Sequence, residues 1–291
     1  MKRIVLTGAT GFTGSFVLDL FRERGADVTC LVRSVERESQ LRARGVATLL
    51  CDLNDAQQLA QTLRGFDAFV NVASMGFGSG PSVVIACEAA GVKRAVFVST
   101  TAIFTTLNAG SKTVRTAAED AVRASQLEYT ILRPTMIYGT PGDRNMIRLL
   151  KVVDRSPIIP VFGPGTNLQQ PVHVEDVASS VVSSLESDAT HCKAYNISGG
   201  QVVSYNEVIA EAATALGRKP LIVHLPLDFS LAAVRFARRV TARFPLSEEQ
   251  ILRLNEDKVF SHDEAARDFG YAPRTFAQGV RQEVALMRGP L

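Results

Sequence analysis

The sequence has few of the features that mark secreted, membrane-spanning or metal-binding proteins. Its four cysteines lie far apart, with no CxxC pair and no zinc-site spacing, so we interpret them as reduced thiols. No apolar run approaches the roughly 20 residues that a membrane-spanning helix needs. The opening residues MKRIVL begin like a secretory signal, but Thr7 and Gly8 end the run. We therefore expect a cytoplasmic protein.

Strong charge and the common catalytic signatures are also missing. The formal net charge is +3 over 291 residues, too small to predict a nucleic-acid partner. The sequence contains no HExxH, GxSxG or Walker pattern and no spacing typical of metal ligands. We expect a small-molecule substrate, no nucleic-acid partner and no membrane partner, and a homodimer is one oligomeric state compatible with the sequence.

What the sequence does have is a regular alternation of apolar strands and helices over its first two-thirds. Strands are predicted at 3–7, 27–32, 46–50, 67–72, 94–99 and 128–133, and helices near 12–24, 55–64, 80–91 and 113–125. The strands are apolar throughout, as strands covered on both faces should be. The pattern predicts a Rossmann-type α/β fold, a doubly wound parallel sheet with a ligand crevice at the carboxyl ends of its strands.

The later part of the chain follows a different pattern. Prolines and glycines cluster between 139 and 171, which predicts loops and short strands. SYNE at 204–207 is a capping box that opens a helix. We predict a dinucleotide-binding domain over 1–198, with 140–170 reaching into a small, mostly helical C-terminal substrate lobe over 199–291.

The glycine-rich stretch TGATGFTG carries the strongest functional signal. An apolar strand runs into Gly8, Gly11 and Gly14, and an apolar-periodic helix follows. Gly8 permits a tight turn, Gly11 lets the backbone approach a pyrophosphate, and Gly14 lets the helix pack close to the strand. The free N–H groups of the first helical turn favour phosphate. This strand–turn–helix context predicts dinucleotide binding.

These features resemble the short-chain dehydrogenase/reductase superfamily, in its extended or atypical, epimerase/dehydratase-like branches. The glycine motif and ILRPTMIYG at 131–139 are the specific parts of the resemblance; CDL at 51–53, NVAS at 71–74, QPVHVEDVA at 170–178 and FGYAP at 269–273 are looser. The resemblance implies redox or epimerase chemistry on a carbonyl or hydroxyl substrate, for example a nucleotide sugar. It implies a cofactor site formed by the glycine loop and the ends of the strands: Gly8, Thr10, Gly11, Phe12, Thr13, Gly14, Arg33, Asp52, Leu53, Val72, Ala73, Ser74, Ser99 and Pro134.

The residue after the second strand indicates which nicotinamide is bound. NAD enzymes usually place an acidic residue there for the ribose hydroxyls, whereas this chain has Arg33. A cation suits a 2′-phosphate and cannot mimic the hydrogen bonds of an acid, and Arg37 is close enough in sequence to assist. We therefore predict NADP(H) in preference to NAD(H). The alternative is that Arg33 is a solvated loop charge.

The segment after the fifth strand lacks the tyrosine that the resemblance implies. Family members carry Tyr-x-x-x-Lys, in which the lysine holds the ribose and lowers the pKa of the phenol. Aligned through Glu119, this chain has Ser111 at the tyrosine position and Arg115 at the lysine position, and its first tyrosine is Tyr129. The Ser111 hydroxyl cannot replace a phenol, because it is a weaker acid on a shorter side chain.

Other groups must carry any chemistry. The catalytic candidates are hydroxyls and cations of this segment and one tyrosine beyond the sixth strand: Thr100, Thr101, Lys112, Arg115 and Tyr138. The substrate-binding candidates are Asn145, Arg148 and His173, although helix capping, a solvated face and a packed histidine are the simpler interpretations. Three hypotheses stay open: an oxidoreductase or epimerase that uses other groups, a reductase whose proton comes from water or substrate, and a non-catalytic NADP-binding sensor or assembly subunit.

A basic segment at 228–244 predicts an amphipathic helix. It contains Arg235, Arg238, Arg239 and Arg243. A lobe helix with a solvated basic face is the simplest interpretation, and a docking surface for an acidic partner or for a membrane is the alternative. The sequence leaves the role of this helix, the substrate and the oligomeric state undecided.

Overall fold

The computed structural model describes residues 2–107, 110–241 and 247–289, and the chain divides into two compact units. The sheet unit consists of Met1–Thr135, Val174–Ile197 and Ser261–Ala272; the lobe unit consists of Met136–His173, Ser198–Phe260 and Pro273–Leu291. The sequence predicts a boundary at residue 198, with 140–170 reaching into the lobe. Residues 136–173 belong to the lobe unit, and 261–272 belong to the sheet unit.

The strands alternate with helices as the apolar pattern predicts. In chain order they are β1 (Arg3–Thr7), β2 (Asp27–Val32), β3 (Ala47–Leu50), β4 (Ala68–Asn71), β5 (Arg94–Val98), β6 (Glu128–Pro134), β7 (Ile137–Tyr138), β8 (Ile158–Phe162), β9 (Leu168–Gln169), β10 (Val172–His173), β11 (Lys193–Ile197), β12 (Val203–Ser204) and β13 (Leu221–Leu225).

The helices have these bounds: α1 (Phe12–Glu23), α2 (Val35–Arg42), α3 (Ala56–Thr62), α4 (Gly80–Ala90), α5 (Gly110–Arg123), α6 (Met146–Arg155), α7 (Val174–Glu186), α8 (Tyr205–Leu216), α9 (Leu227–Val240), α10 (Glu248–Leu254), α11 (Asp263–Phe269) and α12 (Phe276–Arg288). Short 3-10 turns span Met75–Phe77, Thr101–Phe104 and Asp188–Thr190. None of the described helices has the length and apolar composition needed to cross a membrane. Arg243 of the basic segment lies outside the described residues.

The sheet unit is built on one parallel sheet. Within the described residues, seven strands pair in the order β11-β6-β5-β4-β1-β2-β3. Val5, Phe69 and Phe97, from three central strands, are fully buried because helices cover both faces. The strand order reverses beside β1, so the carboxyl ends of β1 and β4 lie at the switch point where such sheets bind ligands. The predicted Rossmann-type α/β sheet is confirmed.

The lobe unit has a separate core. Small two-stranded sheets pair β7 with β10, β8 with β13 and β9 with β12. Its core includes Tyr138, Leu150, Ile209 and Phe276, from β7, α6, α8 and α12. The predicted capping box at the start of α8 is present: Ser204 Oγ accepts from the Glu207 N–H, and the Glu207 carboxylate accepts from the Ser204 N–H.

Candidate functional site

The glycine loop after β1 has the close backbone packing that its sequence predicts. Gly8 has φ +75°, and a Cβ on it would lie 2.7 Å from the Ala73 nitrogen. A Cβ on Gly14 would overlap the carbonyl oxygen of Gly8. Both positions therefore need glycine, the first for its conformation and its proximity to the β4 loop, the second because α1 packs against the turn.

The first turn of α1 offers neutral, uncapped backbone to a ligand. Gly11 is the N-cap, has no side chain to cap the helix, and donates its N–H to the Gly8 carbonyl at 2.8 Å. No acidic residue occurs in the first turn of α1. Thr10 is exposed, and Phe12 and Thr13 are half-buried, so these side chains border the turn without covering it with charge. The positive end of the helix dipole is therefore available for a pyrophosphate.

Two buried polar residues, which the sequence did not single out, hold the β4 loop against the glycine loop. Thr7 Oγ1 donates to Asn71 Oδ1 at 2.6 Å, and Asn71 Nδ2 donates to the Ala73 carbonyl at 3.2 Å. The Val72 N–H donates to the Thr7 carbonyl, and Ser74 Oγ accepts from the Gly76 N–H. The signal that could have found Asn71 is an amide at the end of a fully buried strand, where an unpaired polar group is costly.

Arg33 and Asp52 end neighbouring strands but differ in what their side chains do. Arg33 follows β2 directly and is exposed; it forms no ion pair with the described residues. Asp52 Oδ1 accepts from both the backbone and side-chain nitrogens of Asn54, so it shapes its own turn. Leu53 beside it is half-buried, and the Arg37 guanidinium donates to Gln40. Arg33 is therefore the exposed cation at the end of β2.

The residues at the expected tyrosine and lysine positions contact each other. Arg115 Nη1 donates to Ser111 Oγ at 2.8 Å along one face of α5. A Cβ on Gly76 would lie 3.2 Å from Arg115 Nε, so this guanidinium lies against the 75–77 turn that follows the β4 loop. Lys112 Nζ donates to the Thr105 carbonyl at 2.7 Å and stays within its own segment.

Glu119, used only to align the segment, is the centre of a buried ion-pair network. It is 0% exposed and accepts hydrogen bonds from Arg133 Nη2 and Arg123 Nη2, each at 2.6 Å, and from Ser99 Oγ at 2.5 Å. Burial by itself raises the pKa of this carboxyl, but the hydrogen bonds from Arg133 and Ser99 outweigh it and hold the pKa below its usual value. Ser99 is thus committed to this network.

The two threonines after Ser99 shape the loop. Thr100 Oγ1 accepts from the Ala102 N–H and starts the 3-10 turn, and Thr101 Oγ1 donates to the Pro134 carbonyl at 3.3 Å. Thr101 is 8% exposed and Thr100 is half-buried. Pro134 ends β6 and is buried. These contacts join the ends of β5 and β6.

The structure corrects the expectation that Tyr138 delivers a proton. Tyr138 is 0% exposed in the core of the lobe unit, where its ring packs against His173 and Phe276 at centroid distances of 5.5 and 5.3 Å. Its hydroxyl donates to the Phe276 carbonyl at 3.4 Å. A phenol held inside a core does not exchange protons with a substrate. His173, 1% exposed, likewise has the environment of a packed histidine rather than of a substrate contact.

Asn145 and Arg148 are exposed at the start of α6, which a buried carboxyl pair stabilises. Asp143 Oδ1 accepts from the N–H groups of Asn145 and Ile147. Glu283, 0% exposed, accepts from the Gly139 N–H at 3.0 Å and interacts with Asp143. Burial, followed by the adjacent Asp143 carboxyl, raises the pKa of Glu283 to about 9, so Glu283 holds a proton at neutral pH.

Comparison with known proteins identifies the family. A family model described as NAD(P)H-binding matches residues 8–188, more than half of the chain. The chain therefore belongs to this NAD(P)-binding Rossmann family, within the epimerase/dehydratase and short-chain dehydrogenase/reductase superfamily. The resemblance stated from the glycine loop and the strand-six motif is confirmed.

The chain is also similar to curated proteins over most of its length. A ceramide reductase of Caulobacter vibrioides is 28% identical over 77% of this chain and 73% of its own. A 2-alkyl-3-oxoalkanoate reductase of Stenotrophomonas maltophilia is 26% identical over 96% of this chain and 98% of its own. Mitochondrial NADH dehydrogenase (ubiquinone) 1 alpha subcomplex subunit 9 of Arabidopsis thaliana is 25% identical over 90% of this chain and 70% of its own.

Solved structures agree on the fold. The UDP-glucose 4-epimerase of Thermotoga maritima, crystallised with UDP-glucose, has a TM-score of 0.75 and is 17% identical, with 98% of both chains covered. At that identity the likeness concerns the fold and not the substrate. The family model thus describes NAD(P)H binding, and the similar proteins are named as reductases and an epimerase.

Proposed function

We propose that the protein is an NADP(H)-dependent reductase of a carbonyl substrate that works without the tyrosine relay. Arg33 is the observation that carries the cofactor preference: it is exposed, directly follows β2, and occupies the position where an acid would select NAD. An arginine there can form charge-assisted hydrogen bonds to a 2′-phosphate. The glycine loop suits a dinucleotide, because Gly8 and Gly14 let the turn and α1 pack tightly and the first turn of α1 has no side-chain cap.

Calorimetric titration of Arg33→Asp with NADPH and NADH tests the preference. We expect NADPH affinity to fall at least tenfold, about 1.4 kcal/mol, while NADH affinity stays or rises. Arg64→Asp is the matched control, because Arg64 is exposed in the sheet unit but precedes β4, at the amino ends of the parallel strands. Unchanged NADPH affinity in Arg33→Asp would reject the proposed preference for NADP(H).

The nicotinamide, when bound, supplies a hydride; the residues of this chain must manage the charge on the substrate oxygen. Arg115 is the best candidate in the segment. Its guanidinium is held by Ser111 beside the turn that follows the β4 loop, and a fixed cation stabilises a developing oxyanion. Thr101 is a candidate second donor, once its hydroxyl turns from the Pro134 carbonyl. In this proposal the proton comes from solvent, since the segment has no phenol.

The substrate class we favour is a ketone attached to a long apolar chain. Two aromatic side chains near this part of the sheet unit are exposed, Phe77 at 83% and Phe104 at 46%, and apolar surface of that kind suits an alkyl chain. The relatives named ceramide reductase and 2-alkyl-3-oxoalkanoate reductase point the same way. A nucleotide sugar is the alternative that the superfamily resemblance implies.

A panel of long-chain 3-oxo esters, short-chain 3-oxo esters and nucleotide sugars separates these classes by NADPH oxidation. We expect kcat/KM to rise with chain length, about tenfold for each two methylenes that become buried. Turnover confined to nucleotide sugars would replace the apolar substrate with the alternative and leave the NADP(H) proposal intact.

A second candidate function is a non-catalytic NADP-binding subunit or sensor. The observation that favours it is that Ser99, Ser111 and Lys112 are engaged in bonds within the protein. The similarity to a subunit of NADH dehydrogenase supports it further. NADPH that binds at micromolar concentration but is not oxidised with any member of the panel would favour this function over the reductase.

A further inference from the structure

Helix α9 has an apolar face that the fold leaves uncovered. Its inner face is buried through Ser230 and Val234, at 3% and 4% exposure. On its outer face Phe229, Phe236 and Val240 are 65%, 69% and 72% exposed. The helix therefore has one apolar face that packs in the lobe unit and a second that meets solvent.

The exposed apolar residues of α9 form one stripe. Phe229, Ala233, Phe236 and Val240 are spaced i, i+4, i+7 and i+11. At about 100° per residue these positions fall within about 60° of each other around the helix axis. Two phenylalanines that are each about two-thirds exposed along one line are uncommon on a surface that serves no contact.

Arginines lie beside the stripe on one side of α9 and on the face opposite it. Arg235, Arg238 and Arg239 are all exposed on α9. Arg235 forms an ion pair with Glu248 at 2.6 Å, whereas Arg238 and Arg239 form no ion pair with residues that the structure describes. At about 100° per residue, Arg239 lies about 90° from the centre of the stripe, whereas Arg238 lies nearly opposite the stripe and also interacts with Glu248. Arg239 is thus the cation that borders the stripe.

We propose that α9 binds the surface of an anionic membrane, lying in the plane of the interface. Phenylalanines at the acyl boundary with arginines at the headgroup level form the arrangement by which amphipathic helices bind such surfaces. A second copy of this chain is a poorer occupant, because joining two stripes would bring like-charged arginines together. An acidic protein would pair with the arginines but leave the phenylalanine stripe unexplained. The proposal replaces the expectation that the protein has no membrane partner, and it is independent of the proposed function.

A single tryptophan reports insertion, since the sequence contains none. In Phe236→Trp we expect a blue shift of emission, and quenching by brominated acyl chains, on adding phosphatidylcholine vesicles that contain phosphatidylglycerol, but not with phosphatidylcholine alone. Ile85→Trp is the matched control: Ile85 is 58% exposed but lies on α4 in the sheet unit, so its emission should not change. Equal shifts in both variants, or none in Phe236→Trp, would overturn the proposal.

Co-sedimentation with the same vesicles separates the two parts of the surface. Phe229→Ser with Phe236→Ser should lower binding at least tenfold at any ionic strength, and Arg238→Gln with Arg239→Gln should lower it mainly at low salt. Ile85→Ser should bind like the unaltered protein. Circular dichroism and thermal unfolding verify that each variant folds.

Two results would reject the membrane proposal in this second experiment. One is vesicle binding that survives the double serine variant. The other is that light scattering shows a dimer that does not bind vesicles and that dissociates in the double serine variant. In that case a second copy of this chain would cover the α9 stripe.

Discussion

The glycine loop and the segment after β5 follow the carboxyl ends of strands in the same sheet, yet different forces hold them. The loop is fixed by backbone packing: Gly8 lies against the Val72–Ala73 backbone, and Gly14 lies against Gly8. The segment is fixed by side-chain hydrogen bonds, Arg115 to Ser111 and Arg133 to Glu119. Backbone packing of this kind tolerates only glycine, whereas a side-chain network can be rebuilt from other polar residues.

The difference means that the proposed cofactor binding and the proposed proton transfer depend on separate parts of the sheet unit. A loop shaped for a dinucleotide serves every function that uses the cofactor. A tyrosine relay serves one chemical step, and its two positions hold a serine and an arginine that now bond to each other. The glycines that shape the loop are therefore present, whereas the segment after β5 has no tyrosine before Tyr129.

The largest effect is expected from Gly14→Ala. Its Cβ would overlap the Gly8 carbonyl, so α1 must shift and the phosphate-binding turn must open. We expect NADPH affinity to fall more than a hundredfold, about 2.7 kcal/mol or more, in calorimetric titration. Gly110→Ala, where a Cβ meets nothing within 4 Å, is the matched control and should bind normally. Near-normal NADPH binding by Gly14→Ala would mean that the glycine loop tolerates substitution as readily as the side-chain network after β5.

Glu119→Gln should destabilise the segment after β5 more than it affects the glycine loop. The change removes a buried carboxylate from Arg133 and Arg123, and breaking such a pair costs about 3–5 kcal/mol of unfolding free energy. NADPH affinity of the folded fraction should change less than threefold. Urea unfolding, with and without NADPH, measures both quantities.

The pH dependence of Glu119 provides a second test of the network. Because its pKa lies below the usual 4.5, its contribution to stability is present above pH 4.5 and is lost as the pH falls through the folded pKa. Glu119→Gln should therefore lose part of the acid sensitivity of the unaltered protein. A variant with the same stability and the same acid profile would show that the ion pairs contribute nothing.

Glu283 contrasts with Glu119. Both are fully buried, but Glu283 faces the Asp143 carboxyl, whereas Glu119 faces arginines. Its pKa is raised from 4.5 to about 9, so its contribution is full below pH 4.5 and is lost as the pH rises through about 9. Unfolding free energy should decline by up to about 1.4 kcal/mol per pH unit from this group between those values.

Glu283→Gln should flatten that decline, since an amide can donate to Asp143 at any pH. Urea unfolding at a series of pH values measures the slope, with Glu211→Gln at a half-buried position on α8 of the lobe unit as the control. An unchanged slope in Glu283→Gln would mean that the pair does not hold a proton.

Of these variants, Arg115→Ala should change stability the least while still lowering kcat measurably. Arg115 is half-buried and bonded to Ser111, so stability should change by only about 1 kcal/mol. If Arg115 stabilises the oxyanion, kcat on the preferred ketone should fall about tenfold or more while NADPH affinity is kept. Ser111→Ala leaves the cation and removes its tether, so its loss should be smaller. Equal activity in all three proteins would exclude the pair from the reaction.

Several features of the fold and site could be predicted from local sequence. The sheet strands follow from apolar runs, the glycine loop from its spacing, and the Ser111–Arg115 contact from their separation on one helix. Helix α2 was not predicted, because it is polar and buries only Leu41; the cap Ser34 and acidic first-turn residues were its available signals.

The sequence by itself determined which residues could hold a dinucleotide and which acid was missing, because both depend on neighbours in the chain. Only the tertiary structure decided what distant side chains do. It buried Tyr138 beside Phe276, brought Arg133 to Glu119 and Glu283 to Asp143, and left one face of α9 uncovered. The physical reason is that burial and pKa depend on groups far apart in the chain, which a local pattern does not contain.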